Sequence, residues 1–238
     1  MSFAPVLHAE WIKVRTLRSL RGALAAILVA TAAFSALASV DTDTGDPDPL
    51  FAVFFGVSFG QIAAIAFGTT AVSSEFRGGA LRLTLSAVPD RGRWFAAKAL
   101  AIALPTLAVG LLTGFVTLLV GRAALGTSAP GWAEGARGAV GCGLHLTFMA
   151  LFAAGLAAVL RSGVATLSVL IPFLLIVSFV IGDLSGGVAD FLPDRAGQVA
   201  LHSGWDGTLG PWSGLAVAGL WAAAALLAGG WSLRRRDA

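Results

Sequence analysis

Few groups in this 238-residue chain could carry chemistry. There are three histidines, His8, His145 and His202, and one cysteine, Cys142. Cys142 and His145 stand three residues apart, which on a helix makes them neighbours within reach of one metal ion. Two ligands make no closed site, however, and structural zinc takes about four. His8 and His202 fall in distant segments. A histidine hydrogen-bonded between packed helices is the plainer reading of His145. A single cysteine also rules out an intrachain disulfide. The phosphate-loop pattern G-x-x-x-x-G-K-[ST] is missing, and so are H-E-x-x-H and G-x-S-x-G. The chain is therefore expected to hold no metal or cofactor of its own and not to be an enzyme.

The elements that would position these groups follow from composition. The chain is 57% hydrophobic and 12% charged. A soluble domain carries about 25% charged residues, so there is too little polar surface here to face water on all sides. A disordered chain would be more polar still. The expected class is an all-α membrane protein. Six uncharged segments are long enough to cross a bilayer, which takes about 20 apolar residues. They are 22–40, 50–72, 99–121, 139–160, 163–182 and 213–231. The loops between them leave no room for a separate soluble domain, so residues 1–238 are expected to form one transmembrane domain. Ala36-Leu37-Ala38 resembles a signal-peptide cleavage site, but the first apolar stretch exceeds the usual 7–15 residues of a signal core. It is expected to remain as a span.

With the N-terminus inside, 13 of 16 basic residues fall in inner segments and nine of 13 acidic residues fall in outer ones. The positive-inside rule then places both termini in the cytoplasm. The net charge of +3 splits into +9 inside and −6 outside. The inner excess faces anionic lipid headgroups, so no nucleic-acid partner is expected. The 14 arginines against two lysines, with abundant Ala and Gly, fit a GC-rich bacterial genome and hence a bacterial plasma membrane. No Asp, Glu, Lys or Arg lies within a span. Ion-coupled carriers hold such groups at membrane depth, so energy must come from elsewhere.

Two inner segments stand out. Residues 3–21 set Phe3, Val6, Leu7, Trp11, Val14 and Leu17 against Glu10, Lys13, Arg15 and Arg18. Such a helix is expected to lie in the interface. The second segment is the loop 73–98. Gly78-Gly79 should interrupt the backbone, Ala80–Val88 has helical length, and Pro89-Asp90-Arg91-Gly92 makes a turn. An apolar run held among charges fits a helix lying on lipid or a helix that docks a cytoplasmic partner. Within the spans, Gly56-x-x-x-Gly60, Gly110-x-x-x-Gly114 and Gly210-x-x-x-Gly214 would allow close helix approach. Gly56 and Gly60 are the best placed, beside Ser58 and Gln61. Pro105 and Pro172 should kink spans three and five. The outer stretch 183–212 carries apolar pieces, Val188–Leu192 and Val199–Leu201, with Trp205 and Trp212 suited to the outer interface.

These segments carry a resemblance. Ser74-Glu75-Phe76-Arg77-Gly78, then Leu81-Arg82, Pro89, Arg91 and Ala97-Lys98, is similar to the permease subunits of type-2 ABC exporters. So is Glu10-Trp11-Ile12-Lys13-Val14-Arg15 ahead of the first span, and so is Phe191-Leu192-Pro193 with Ala196-Gly197-Gln198 before the last one. The resemblance covers essentially the whole chain. It implies a permease working as a dimer, with a second copy or a related permease, in contact with membrane lipids. A separate cytoplasmic ATP-binding subunit would bind ATP and Mg. The loop after span two would form the coupling helix, with Glu75, Phe76, Arg77, Arg82 and Arg91 as coupling residues. Glu10, Trp11, Lys13 and Arg15 would lie in the interfacial helix near the same contact. The family's segment before the last span forms short helices that dip partly into the membrane, while the residues of 183–212 taken alone fit an interfacial loop equally well. The rival reading is a polytopic scaffold or assembly factor without transport, which leaves the docking-like loop unexplained.

Overall fold

The computed structural model describes residues 2–41, 48–174, 187–204 and 207–235. Among them all regular structure is helical. Helix α1 spans Phe3–Thr16 and α2 spans Arg18–Asp41. They are separated by Leu17, whose backbone is extended. The amphipathic N-terminal segment therefore ends at Thr16 rather than at residue 21, and Arg18 and Arg21 belong to the next helix. Then follow α3 (Pro49–Phe54), α4 (Val57–Ser73), a 3-10 turn at Ser74–Phe76 and α5 (Ala80–Ala87). Helix α6 is the longest described, Arg91–Leu125, and α7 spans Trp132–Leu160. After α8 (Gly163–Pro172) come α9 (Pro193–Gln198), flanked by 3-10 turns at Ala189–Phe191 and Val199–Leu201, and α10 (Pro211–Arg235).

Five of these stretches are long and apolar enough to cross a membrane: Arg18–Ser39, Pro49–Phe76, Arg91–Ser128, Trp132–Leu160 and Pro211–Arg235. They correspond to five of the six expected spans. The sixth, 163–182, begins as the ten-residue apolar α8, and its second half lies outside the described residues. So do Asp183, Trp205 and Arg236. Most of the helices outrun their apolar segments, α6 by eight residues at its start, because helical hydrogen bonding continues into the charged flanks. Asp90, the expected turn residue, caps α6 by accepting from the Arg93 amide at 3.0 Å.

The second span is not one continuous helix. It breaks at Phe55-Gly56 between α3 and α4. The Ser35 hydroxyl accepts from the Gly56 amide at 2.9 Å, so the break does not leave a bare donor in an apolar setting. A side chain on Gly56 would run into the Thr31 carbonyl, and one on Gly60 into the Thr31 hydroxyl. The Gly56–Gly60 pair thus lets α4 lie directly on α2. Gly110 and Gly114 do the same for α6 on α7, against Gly143 and Ala139. In the third pair only Gly214 is pressed, against the Ala196 carbonyl; nothing but Ser213 lies near Gly210. Pro105 stays inside α6.

Helix α7 is the hub. It packs on α4, α6 and α10 along a stripe of Gly and Ala, including Ala139, Gly143, Ala150, Ala153, Ala154 and Ala157. Lipid gives helices no hydrophobic reason to associate, so close contact and dispersion must hold them. Small side chains maximise both. Helix α2, in contrast, shows Val29 and Leu37 to the surroundings. The turn–α9–turn segment tucks against α7 and α10, with Ala196, Val199, Ala200 and Leu201 buried.

Candidate functional site

The sequence loads the ends of the helices with charge, and the fold gathers four of those charges into one buried cluster. Glu10 and Lys13 sit one turn apart on α1, with Lys13 Nζ 3.0 Å from Glu10 Oε1. Glu75 comes from the 3-10 turn that ends α4, and its Oε1 lies 2.7 Å from Lys13 Nζ. Lys98, one turn beyond Trp94 on α6, places its Nζ 2.7 Å from the same Glu75 oxygen and pairs with Glu10 Oε2 as well. The Trp94 indole donates to Glu10 Oε1 at 3.0 Å. From α5, the Thr84 hydroxyl donates to Glu75 Oε2 at 3.3 Å.

Two carboxylates thus alternate with two ammonium groups, and the set is neutral. Glu10, Glu75 and Lys98 are each at most 5% exposed. Burying a charge alone is prohibitive, and such a set persists only because each member meets opposite charge. Lys13 sits at the rim. Burial pushes its ammonium pKa down, but hydrogen bonds and charge from Glu75 and Glu10 outweigh that and hold it above the ordinary lysine value.

The other expected site residues spread around this cluster. Phe76 is half-buried, with the Arg161 guanidinium 5.6 Å from its ring centre. Arg77 and Arg82 are exposed. Gly78 and Gly79 both take positive φ, 61° and 76°, so the expected interruption is real and α5 starts right after it. Arg91 turns away from the cluster and donates to the Leu233 carbonyl at 2.7 Å, at the last turn of α10. Trp11 is half-buried and lines a small recess with Leu104, and Arg15 is exposed. Two recesses flank the cluster. One of about 380 Å³ is lined by Glu75, Phe76, Gly79, Leu81, Arg82 and Arg161. The other, about 310 Å³, lies between α1 and α5 and includes Val6, Glu10, Thr84, Val88 and Trp94.

Sequence reasoning did not place Lys98 or Trp94 in the site. A signal was available: the chain has 14 arginines and only two lysines, and both lysines are in the cluster. An ammonium is a compact charge with three donors, so one lysine can meet two carboxylates at once.

A family profile described as "ABC-2 family transporter protein" matches residues 14–238. The chain belongs to this family. It is thus a multi-pass membrane protein of the ABC-2 permease type, a class that works with an ATP-binding partner subunit. A comparison with curated proteins finds no match.

In this ABC-2 protein His145 takes the plainer of its two readings, a hydrogen bond between packed helices, and it does not share a partner with Cys142. His145 Nε2 meets Gln61 Oε1 of α4 at 3.1 Å, while Cys142 Sγ lies 3.8 Å from the Gly110 carbonyl of α6. His8 is exposed. His202 joins a second polar cluster at the other end of the α3–α4 span. Its Nδ1 lies 2.7 Å from Asp48 Oδ2, and its ring stacks on Phe51 at 4.3 Å. Asp48 Oδ1 also accepts from the Ser203 hydroxyl at 2.6 Å and from the Ser203 and Phe51 amides at 3.0 Å. This is no Ser-His-Asp relay, because the serine hydroxyl faces the carboxylate and not the imidazole. Burial disfavours the charged form of Asp48, but the hydrogen bonds from Ser203, Phe51 and His202 prevail and its pKa is lowered. Burial also lowers the His202 pKa, and Asp48 offsets only part of this.

Proposed function

We propose that this chain is the permease subunit of an ATP-driven exporter, with six spans, both termini cytoplasmic, and a substrate pathway formed with a second permease. A separate cytoplasmic subunit binds ATP and Mg and does the hydrolysis. In this reading α1 is the interfacial helix and α5 the coupling helix. The observation that supports it is the Glu10–Lys13–Glu75–Lys98 cluster. It binds the turn before α5 to both α1 and the start of α6, so these three elements are tied to one another. Above it, Arg77, Arg82 and Leu83 are exposed on or beside α5, Leu83 at 74%. A push on α5 by a nucleotide-closed partner then reaches α1, α4 and α6 together. Arg77 and Arg82 offer the partner charge, and Glu75 holds the loop to the bundle. Arg91 acts one step away, by holding the last turn of α10 to the base of α6.

The test is co-purification with the ATP-binding subunit and ATPase activity of the complex. Glu75→Ala and Arg77→Ala should each lower that activity while the complex still assembles. Unaltered turnover in both would refute the coupling assignment. A complex that forms no stable contact with any ATP-binding subunit would return the chain to the scaffold class.

A further inference from the structure

The largest of the recesses described lies away from the ion cluster, between the start of α6 and the end of α10. It measures about 670 Å³, in the range of ligand-sized clefts. Its walls are made of small residues, among them Gly92, Ala96 and Ala99 on α6 and Gly230 on α10, with Phe95 as the floor. The groove exists because α10 leans on α7 rather than on α6. Gly229 is pressed against Gly155 and Ala158 of α7, and a side chain there would not fit.

The two ends of this groove differ in chemistry. Along its length it is apolar and open to the side, between exposed Leu227 and Ala96. At its mouth stands Arg234, whose guanidinium lies over Gly92, 2.7 Å from where a Cβ would be. Arg91 and Arg93 flank Gly92 in the chain, and Arg235 follows Arg234, with its guanidinium over the Trp231 ring at 4.2 Å. Asp90 is the acidic group there among the described residues, and Arg93 and Arg234 both act on its charge. Arg93 pairs with Asp90 at 3.6 Å, so Arg234 at the mouth and Arg235 beside Trp231 leave the basic charge there in excess of the acidic. Trp231 is 59% exposed, as suits a ring at headgroup depth.

We infer that this groove binds one phospholipid with an anionic headgroup, its acyl chain lying along Ala96, Ala99 and Gly230 and its phosphate at Arg234. Charge complementarity selects the headgroup, and arginine is well suited to a phosphate. The small residues leave room for a chain where larger side chains would close the gap between α6 and α10. The inference uses the reading that this end of the bundle lies at a headgroup layer. It does not require transport or an ATP-binding partner.

The full chain, purified in a neutral detergent, is exchanged with mixed micelles of phosphatidylglycerol or of phosphatidylcholine with the same acyl chains. Lipid retained per protein is counted by native mass spectrometry. Phosphatidylglycerol should be retained about fivefold over phosphatidylcholine, the worth of roughly one arginine near the membrane surface. Arg234→Gln should bring that ratio close to one. Arg21→Gln, an exposed arginine on α2, should leave it unchanged. Ala96→Phe should lower retention of both lipids by filling the groove. Equal retention of the two lipids overturns the inference, and so does a ratio unaltered by Arg234→Gln or equally altered by Arg21→Gln. If glycerol 3-phosphate displaces the lipid as well as intact phosphatidylglycerol does, the groove plays no part and the inference fails. All of these readouts are taken without nucleotide, so a failed ATPase assay does not decide them.

Discussion

Glu75 and Asp48 stand at the two ends of the α3–α4 stretch, and each carboxylate ties segments far apart in sequence. Glu75 is 5% exposed and meets two ammonium groups at 2.7 Å. Asp48 is half-buried and is held by hydroxyl and amide hydrogens and by His202. One end is therefore knit by buried charge in balance, and the other by hydrogen bonds to a single carboxylate. Buried charge has a steep response to losing a partner, because what remains is an uncompensated ion. A hydrogen-bonded carboxylate near water can be resolvated when its partners leave. The difference fits the proposed coupling role: an end that is to take force from a partner must not come apart, while the segment 199–203 at the other end would be released at lower cost.

The comparison predicts its largest effect at Glu75. Glu75→Gln keeps the shape but leaves Lys13 and Lys98 facing Glu10 alone. A loss of about 3 kcal/mol is expected, within the range for breaking a buried pair, read as a lowered unfolding midpoint in detergent. The double variant Glu75→Gln with Lys98→Met returns the cluster to charge balance and should recover much of that loss. A double variant as unstable as the sum of the single ones would show that the cluster is held by shape and not by charge balance. At the other end, Asp48→Asn removes the charge but keeps an acceptor. It should cost about 1–2 kcal/mol, the worth of weakened charged hydrogen bonds. The loss should appear as faster hydrogen exchange in 199–203 with little change at α1.

How far these two ends were legible in the sequence differs for a physical reason. The charges at Glu10, Lys13 and Glu75 announce themselves because they break long apolar runs, and their segments match a family pattern. That they touch does not follow, since Glu10 and Glu75 are 65 residues apart. Lys98 reads as one more flanking cation until the fold brings α6 beside α1. Spans were legible from composition, because an apolar run of about 20 residues has few other uses. The break at Gly56 was not, since the rescuing group, Ser35, lies on a different helix. The glycine spacings gave half an answer: Gly56, Gly110 and Gly114 are pressed by neighbouring backbones and Gly60 by the Thr31 side chain, whereas Gly210 fits the same pattern with only Ser213 near it. His202 carries no mark in the sequence at all, because its partner Asp48 is 154 residues away.

Mild acid should separate the two ends by a smaller effect. The His202 pKa is lowered in the fold from its ordinary 6.5. The folded state then binds fewer protons than the unfolded one, so the neutral imidazole contributes stability above pH 6.5 that is lost as pH falls through the folded value. Asp48, also lowered from 3.8, adds a second loss of the same sign further down. Lys13 runs the other way: its raised pKa contributes below pH 10.5 and is lost only as pH climbs through the folded value. Between pH 6.5 and pH 5, hydrogen exchange should therefore quicken around residues 48–51 and 199–203 and not around the cluster of Lys13. His202→Asn should flatten that response. Exchange that quickens equally at both ends would mean that the two are not separable units.

The smallest effect on stability is expected at Arg77, and it sharpens the comparison most. Glu75 and Arg77 are two residues apart, yet one is buried in the cluster and the other exposed. An exposed arginine outside any buried network changes stability by less than about 0.5 kcal/mol when truncated. Arg77→Ala should therefore leave the unfolding midpoint where it is. If Arg77 meets the motor, the same variant lowers ATPase activity of the complex at constant assembly, whereas Glu75→Gln lowers activity and stability together. Activity that follows stability in both variants would place the whole effect in the fold of the cluster. Activity lost in Arg77→Ala alone would place the contact with the partner on the exposed side of the turn, with Glu75 acting only to hold it.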